Sequence, residues 1–279
     1  MITNLRVESH FKAVPYLLAT QLMQRFPNGI EFATDKVNVI VGPNGAGKSA
    51  LMHALSLLTL SDLTGVSAFD RNIFAGRNAD KNWAKVDRWG NEFKYLDGLV
   101  CEHDFAPAVY YRPGHIPGNE PWINTSMMTG YFNEASQYRN ATKDRSSGQQ
   151  CQSLLEKITS VLKGDSTLSE YQRINWGYGA TVKKPSYDAF EYDHKAYLLC
   201  QTYGAAKESA IPLVLTDEPE QSLDARAELE LWKLLESTDL SRVQVIIATH
   251  SLYPVMHPER FNVIEAVDGY IDQVRSLMG

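Results

Sequence analysis

Val39-Ile40-Val41-Gly42-Pro43-Asn44-Gly45-Ala46-Gly47-Lys48-Ser49 is the run on which the reading of this chain turns. Residues 42–49 fit the pattern G-x-x-x-x-G-K-[ST]. The residues before it, 37–41, are apolar enough for a buried strand. After it the period changes: Leu51, Ala54, Leu55 and Leu58 fall at i, i+3, i+4 and i+7, one face of a helix. A glycine-rich turn between two such elements curls its backbone N–H groups around one centre, and the helix start adds the positive end of its dipole. Gly42, Pro43, Asn44, Gly45, Ala46 and Gly47 therefore read as a cradle for phosphates. Lys48 is placed to reach the outer phosphates, and Ser49 can ligate Mg²⁺.

Outward from that run, the same alternation returns. The first forty residues read as β structure, with Ile30-Glu31-Phe32-Ala33 ahead of the 37–41 strand. Ala108-Val109-Tyr110-Tyr111 is another strand, stopped by Arg112-Pro113-Gly114. In the last third, Leu213-Val214-Leu215 is a strand run. A helix pattern follows through Leu223, Ala227, Leu231, Leu234 and Leu235, and then come the strands Val243–Ala248 and Phe261–Ile264. Nearly all-apolar strands alternating with helices mean a mostly parallel sheet covered on both faces, an α/β fold. Residues 61–98 read as loops with a hairpin, 113–145 as irregular, 149–162 as a helix and 164–190 as an inserted loop or hairpin. One domain over 1–279 accommodates these, with subregions 1–112, 113–190 and 191–279.

The second chemical signal is Leu213-Val214-Leu215-Thr216-Asp217-Glu218-Pro219, an acidic pair at the end of a buried strand. In a phosphate-binding fold Asp217 serves the Mg²⁺ and Glu218 polarises an attacking water; the plainer alternative is that Asp217 caps the next helix. Ser222-Leu223-Asp224 adds a carboxylate. The strand ending Ala248-Thr249-His250-Ser251 adds an imidazole one strand later, within reach of a γ-phosphate.

Taken together, these motifs resemble an ABC-type ATPase head. Residues 42–49 match its Walker A, 213–218 its Walker B with the catalytic Glu, 222–224 its D-loop and His250 its H-loop, in the family's order. The resemblance implies ATP and Mg²⁺ as ligands, ATP hydrolysis with Lys48, Glu218 and His250 in catalytic roles, and a homodimer sandwiching two ATP molecules. It also implies a signature motif: Arg145-Ser146-Ser147-Gly148-Gln149 is similar to the family's L-S-G-G-Q, with Arg for Leu and Ser for the first Gly. Ser146, Ser147, Gly148, Gln149 and Asp224 would then touch a neighbour's nucleotide, unless Ser146-Ser147-Gly148 is only a cap. Leu168-Ser169-Glu170-Tyr171-Gln172 is a rival without glycine. The Q-loop departs further. No glutamine lies between Gln24 and Gln137, and His115 or Asn119 are the substitutes at hand.

The approach to the Walker A through Gly29-Ile30-Glu31-Phe32 is similar to SMC- and RecF-like heads. Asp217-Glu218-Pro219-Glu220 resembles small stand-alone ATPases of phage defence and toxin–antitoxin modules. Without sustained heptads between Walker A and signature there is no coiled-coil arm. The branch implies control of a partner protein, a nuclease or toxin encoded nearby, or of DNA. Arg139, Lys143 and Arg145, or Lys183 and Lys184, are the cations available to DNA phosphates. The alternative is the energising subunit of a membrane transporter.

Composition sets the outer bounds. With 279 residues, 44% hydrophobic and 22% charged, the chain is globular rather than disordered. No stretch approaches the roughly 18 uninterrupted apolar residues of a membrane span. Arg6, Glu8, His10 and Lys12 interrupt any signal-peptide core, so a cytoplasmic protein is expected. A net charge of −6 excludes a generally basic nucleic-acid-binding surface. Three scattered cysteines, Cys101, Cys151 and Cys200, argue against a disulfide framework. The group Cys101-Glu102-His103-Asp104 has no second cluster to complete a zinc site.

Overall fold

The computed structural model of the chain describes residues 1–8, 17–59, 98–104, 106, 108–113, 155–156, 158–165 and 211–279. The expected signature at Ser146, Ser147, Gly148 and Gln149, its rival at 168–172, the substitutes His115 and Asn119, and the basic residues proposed for DNA lie outside the described residues.

Five parallel strands form the central sheet. They are β3 (Asn38–Val41), β5 (Ala108–Tyr111), β6 (Leu213–Asp217), β7 (Gln244–Ala248) and β8 (Asn262–Glu265), in the order β5-β6-β7-β3-β8. Every residue of β3, β6 and β7 is buried, as their largely apolar sequences require of strands covered on both faces. Successive side chains serve opposite cores. Ile40, Leu213, Leu215, Ile246 and Ala248 join one cluster with Leu51, Met52 and Leu55 of α2 (Lys48–Leu58). Val39, Val41, Val214, Val245 and Ile247 join the other with Leu231, Trp232 and Leu235 of α3 (Ala225–Ser237). The period of two in the strands thus meets the period of about 3.6 in the helices on each side.

A second, antiparallel sheet has the order β2-β1-β4: β1 (Ile2–Val7) lies between β2 (Ile30–Glu31) and β4 (Leu99–His103). Two buried amides anchor the central sheet, and one of them, Gln244, ties it to the antiparallel sheet. Gln244 of β7 accepts from the Ile2 N–H at 2.7 Å and donates to the Ile2 carbonyl at 2.7 Å. Asn38 of β3 accepts from the Ala33 N–H at 2.7 Å and donates to the Val245 carbonyl at 3.2 Å. Such side chains are tolerated in a core because each polar atom has a partner.

Three expectations need correction. The first forty residues are not all β: α1 (Gln21–Arg25) interrupts them, one short turn too brief to show a period, capped by Thr20, whose Oγ1 accepts from the Met23 N–H at 3.3 Å. The strand expected over 30–33 extends only over Ile30 and Glu31, with the Phe32 N–H still donating to the Thr3 carbonyl at 2.9 Å. The helix expected to include Leu223 starts at Ala225, because Asp224 Oδ1 accepts from the N–H groups of Arg226 and Ala227, both at 2.9 Å, and so takes the cap position. Part of the expected 149–162 helix is described, with 158–163 helical.

Two short elements close the chain, α4 (Tyr253–Met256) and α5 (Tyr270–Leu277). No described helix is long and apolar enough to cross a membrane.

Candidate functional site

All five strands of the central sheet run the same way, so their carboxyl ends share one edge, where α/β sheets commonly bind ligands. β3 delivers residues 42–49 to that edge. The loop enters α2 at Lys48, which is eleven residues long and so presents a full helix N-terminus. Gly47 has φ +106°, and an ideal Cβ there would stand 2.4 Å from Thr20 Cβ, so only glycine fits. The loop is also tied to α1, since the Leu22 N–H donates to the Ala46 carbonyl at 3.0 Å. Asn44 and Gly45 are exposed at its tip, while Ala46 is fully buried.

Lys48 is nearly buried, at 4% exposure, and its Nζ donates to the carbonyls of Gly42 at 2.8 Å and Pro43 at 3.1 Å. Burial lowers its pKa, against the pull of Glu218, Asp217 and Glu220. A cation folded onto the carbonyls of its own loop, at the start of a helix, is poised for an anion that accepts from it in their place.

β7 separates β6 from β3, yet the two ends meet. Ser49 Oγ donates to Asp217 Oδ1 at 3.1 Å. Asp217 is fully buried, and its Oδ2 receives no hydrogen bond; Arg112 Nε faces it at 3.5 Å. Burial pushes the Asp217 carboxyl up to about 6, and the Arg112 charge and the Ser49 hydrogen bond pull the other way. A hydroxyl oxygen beside a carboxylate with an unsatisfied lone pair is a donor set of hard oxygens, which fits Mg²⁺. Among the described residues no group of three His, Cys, Asp or Glu could hold a metal ion, so remaining ligand positions would fall to phosphate oxygens and water.

Glu218 follows directly. It has φ 51° and ψ 53°, alone among described non-glycine residues in positive φ. That conformation turns the side chain away from the strand direction, toward His250, whose Nε2 lies 3.0 Å from Glu218 Oε1. Gln221 Nε2 donates to the other oxygen, Oε2. The backbone is anchored by the Glu218 N–H, which donates to the Ala248 carbonyl at 2.7 Å. Asp224, placed by sequence in a D-loop, spends one oxygen capping α3.

Three residues of this edge escaped the sequence reading. Glu220 Oε1 accepts from Thr249 Oγ1 at 2.8 Å and from the His250 N–H at 2.7 Å, fixing the end of β7 against the acidic turn. Thr20 packs against Gly47, and Arg112 faces Asp217. Glu220 was legible as a third carboxylate in Asp217-Glu218-Pro219-Glu220. Thr20 and Arg112 carry no local signal, since both act through segments distant in sequence.

Together the strand order, the loop and the strand-end acid define an α/β domain of the P-loop type. A protein family described as an AAA domain matches residues 25–92, the segment holding this loop. No curated protein matches the chain in sequence. Among solved structures, the ATP-binding cassette MJ0796, in a dimeric post-hydrolysis state bound to ADP and Pi, is 14% identical with a TM-score of 0.36, covering 96% of this chain and 95% of that one. MJ1267, an ATP-binding cassette of an ABC transporter, is 13% identical with a TM-score of 0.34, covering 99% and 96%. A nucleotide-free ATP-binding cassette from an ABC transporter is 15% identical with a TM-score of 0.31, covering 99% and 96%. At such values the assignment stands on this chain's own strand order and loop.

Proposed function

We propose that the chain is a Mg²⁺-dependent ATPase that binds ATP on residues 42–49, hydrolyses it, and dimerises around it to control a partner protein or DNA. The observation that carries the reading is the meeting of Ser49 and Asp217 at 3.1 Å, which places a metal-fitting oxygen pair beside a phosphate cradle. Bound at that pair, Mg²⁺ would neutralise charge on the β- and γ-phosphate oxygens.

The chain's own residues supply the rest. The N–H groups of 42–49 and the start of α2 hold the phosphates, and Lys48 exchanges the Gly42 and Pro43 carbonyls for phosphate oxygens. Glu218 accepts the proton of the attacking water, oriented by Gln221 and His250 on its two oxygens. Its left-handed backbone, which costs a non-glycine residue on the order of 1–3 kcal/mol, supports the assignment, because such outliers cluster where geometry serves chemistry. His250 faces the same point and would sense the γ-phosphate. With Asn44, Gly45 and His250 exposed, a bound nucleotide would offer its outer side to a second surface. In the proposed dimer, that surface carries Ser146, Ser147, Gly148 and Gln149 of the other copy.

The test is calorimetric titration of Mg·ATP into wild type and Lys48→Ala, beside phosphate release by the wild type. Micromolar binding that the variant weakens at least tenfold, with turnover in the wild type, is the expected result. Equal affinity in a folded Lys48→Ala protein moves the site elsewhere.

A further inference from the structure

We propose that Arg112 is a second cation of the phosphate site, paired with Asp217 in the nucleotide-free protein and turning onto the γ-phosphate when Mg·ATP binds. The inference rests on the reading of residues 42–49 as a nucleotide cradle. Arg112 is the first residue beyond β5, and β5 pairs in parallel with β6, Tyr111 opposite Thr216. Register alone therefore sets Arg112 beside Asp217, on the edge where the loop, Glu218 and His250 gather.

Three features separate it from an ordinary structural ion pair. The Arg112 side chain is 51% exposed while that of Asp217 is 1% exposed, so the guanidinium bridges from a buried carboxylate to the open side of the site. The contact runs through Nε at 3.5 Å, longer than a well-formed charged hydrogen bond. Among the described residues the guanidinium has no other acceptor, which leaves its planar fork of terminal N–H donors for an anion. That fork matches the oxygens of a phosphate in a way that an ammonium cannot.

Charge explains the exchange. Asp217, Glu218 and Glu220 bring three carboxylates to this edge, and Lys48 is the cation at its centre. A triphosphate adds several more negative charges, so a further cation is needed near its outer end. A divalent ion at Ser49 and Asp217 competes with Arg112 for the same carboxylate and repels it. Arg112 then gives up Asp217 and closes on the γ-phosphate, which ADP lacks. The end of β5 thereby distinguishes triphosphate from diphosphate.

The proposal demands two effects of opposite sign from Arg112→Ala. Titration calorimetry should show Mg·AMP-PNP bound about 10- to 100-fold more weakly, the range of a lost charged hydrogen bond, with Mg·ADP within threefold of wild type. Electron paramagnetic resonance of Mn²⁺ without nucleotide should show the ion bound several-fold more tightly, since its competitor is gone. A merely structural arginine would weaken both nucleotides alike and would not improve Mn²⁺ binding. Equal losses, no loss, or unimproved Mn²⁺ binding overturns the proposal. If Arg112→Ala does not fold, Arg112→Lys decides: it keeps the charge and loses the fork, so AMP-PNP should weaken several-fold with ADP unchanged, and equal affinities overturn the idea. If the wild type binds neither nucleotide, the cradle reading fails and takes this inference with it. If Lys48→Ala loses both nucleotides while Arg112→Ala binds both normally, only the role of Arg112 is lost.

Discussion

Glu218 joins an unfavourable backbone to two side-chain partners, and its replacement separates binding from chemistry. Glu218→Gln keeps the shape and most of the hydrogen bonding but cannot take a proton from water. Hydrolysis should fall by roughly 10²–10⁴-fold while Mg·ATP affinity stays within threefold; a variant that keeps most of its turnover removes Glu218 from the role of base. Away from the site, His103 in β4 shows how burial, more than neighbouring charge, sets a titration. Desolvation, then the Met1 amino group, depress its pKa to about 4, against the pull of Asp104. A histidine whose folded pKa lies below its unfolded value binds its proton more readily when unfolded. Stability is therefore unaffected above about pH 6.5 and is lost as pH falls from there toward 4. His103→Asn should abolish that part of the acid sensitivity, on the order of 2 kcal/mol in urea unfolding between pH 7.5 and 4.5. An equal pH dependence in the two proteins would show that His103 keeps its ordinary pKa. Cys101 in the same strand is pushed up to about 12 by burial, which makes it a poor nucleophile at neutral pH.

Among the elements, α1 and the loop of residues 42–49 behave as one unit. Thr20 caps α1 and also walls Gly47, and Leu22 binds the Ala46 carbonyl. Gly47→Ala meets two penalties, the +106° backbone and the contact with Thr20. It should cost about 2 kcal/mol or more and move the loop. Thr20→Gly, which loses a cap, should cost about 1 kcal/mol or less alone. Because removing the Thr20 side chain opens the space that the new methyl needs, the double variant should cost measurably less than the two single ones together. Strict additivity in thermal denaturation would show that α1 does not brace the loop.

At the scale of the whole molecule, one sheet edge collects the loop, the acidic turn, His250 and Arg112, and leaves Asn44, Gly45 and His250 open to a second surface. With Glu218 as the proposed base, Glu218→Gln should trap the ATP-bound form, so light scattering should show its mass double with Mg·ATP and stay single with Mg·ADP. A monomer at saturating ATP would rule out the nucleotide-sandwich dimer and leave a single-chain switch.

The loop, both acidic positions and the buried strands were legible because each is local. A loop motif is made of consecutive residues, and a strand buried on both faces must be largely apolar. The strand read at Ala108–Tyr111 is β5 residue for residue. What sequence could not show depends on register and strand order. That Thr20 walls the loop and that Arg112 lies against Asp217 follow only once β5 pairs with β6 and α1 packs on residues 46–47. Those contacts join segments far apart in the chain. The sequence alone determined the chemistry available to this protein; the parallel sheet, by bringing four strand ends to one edge, decided which side chains face it.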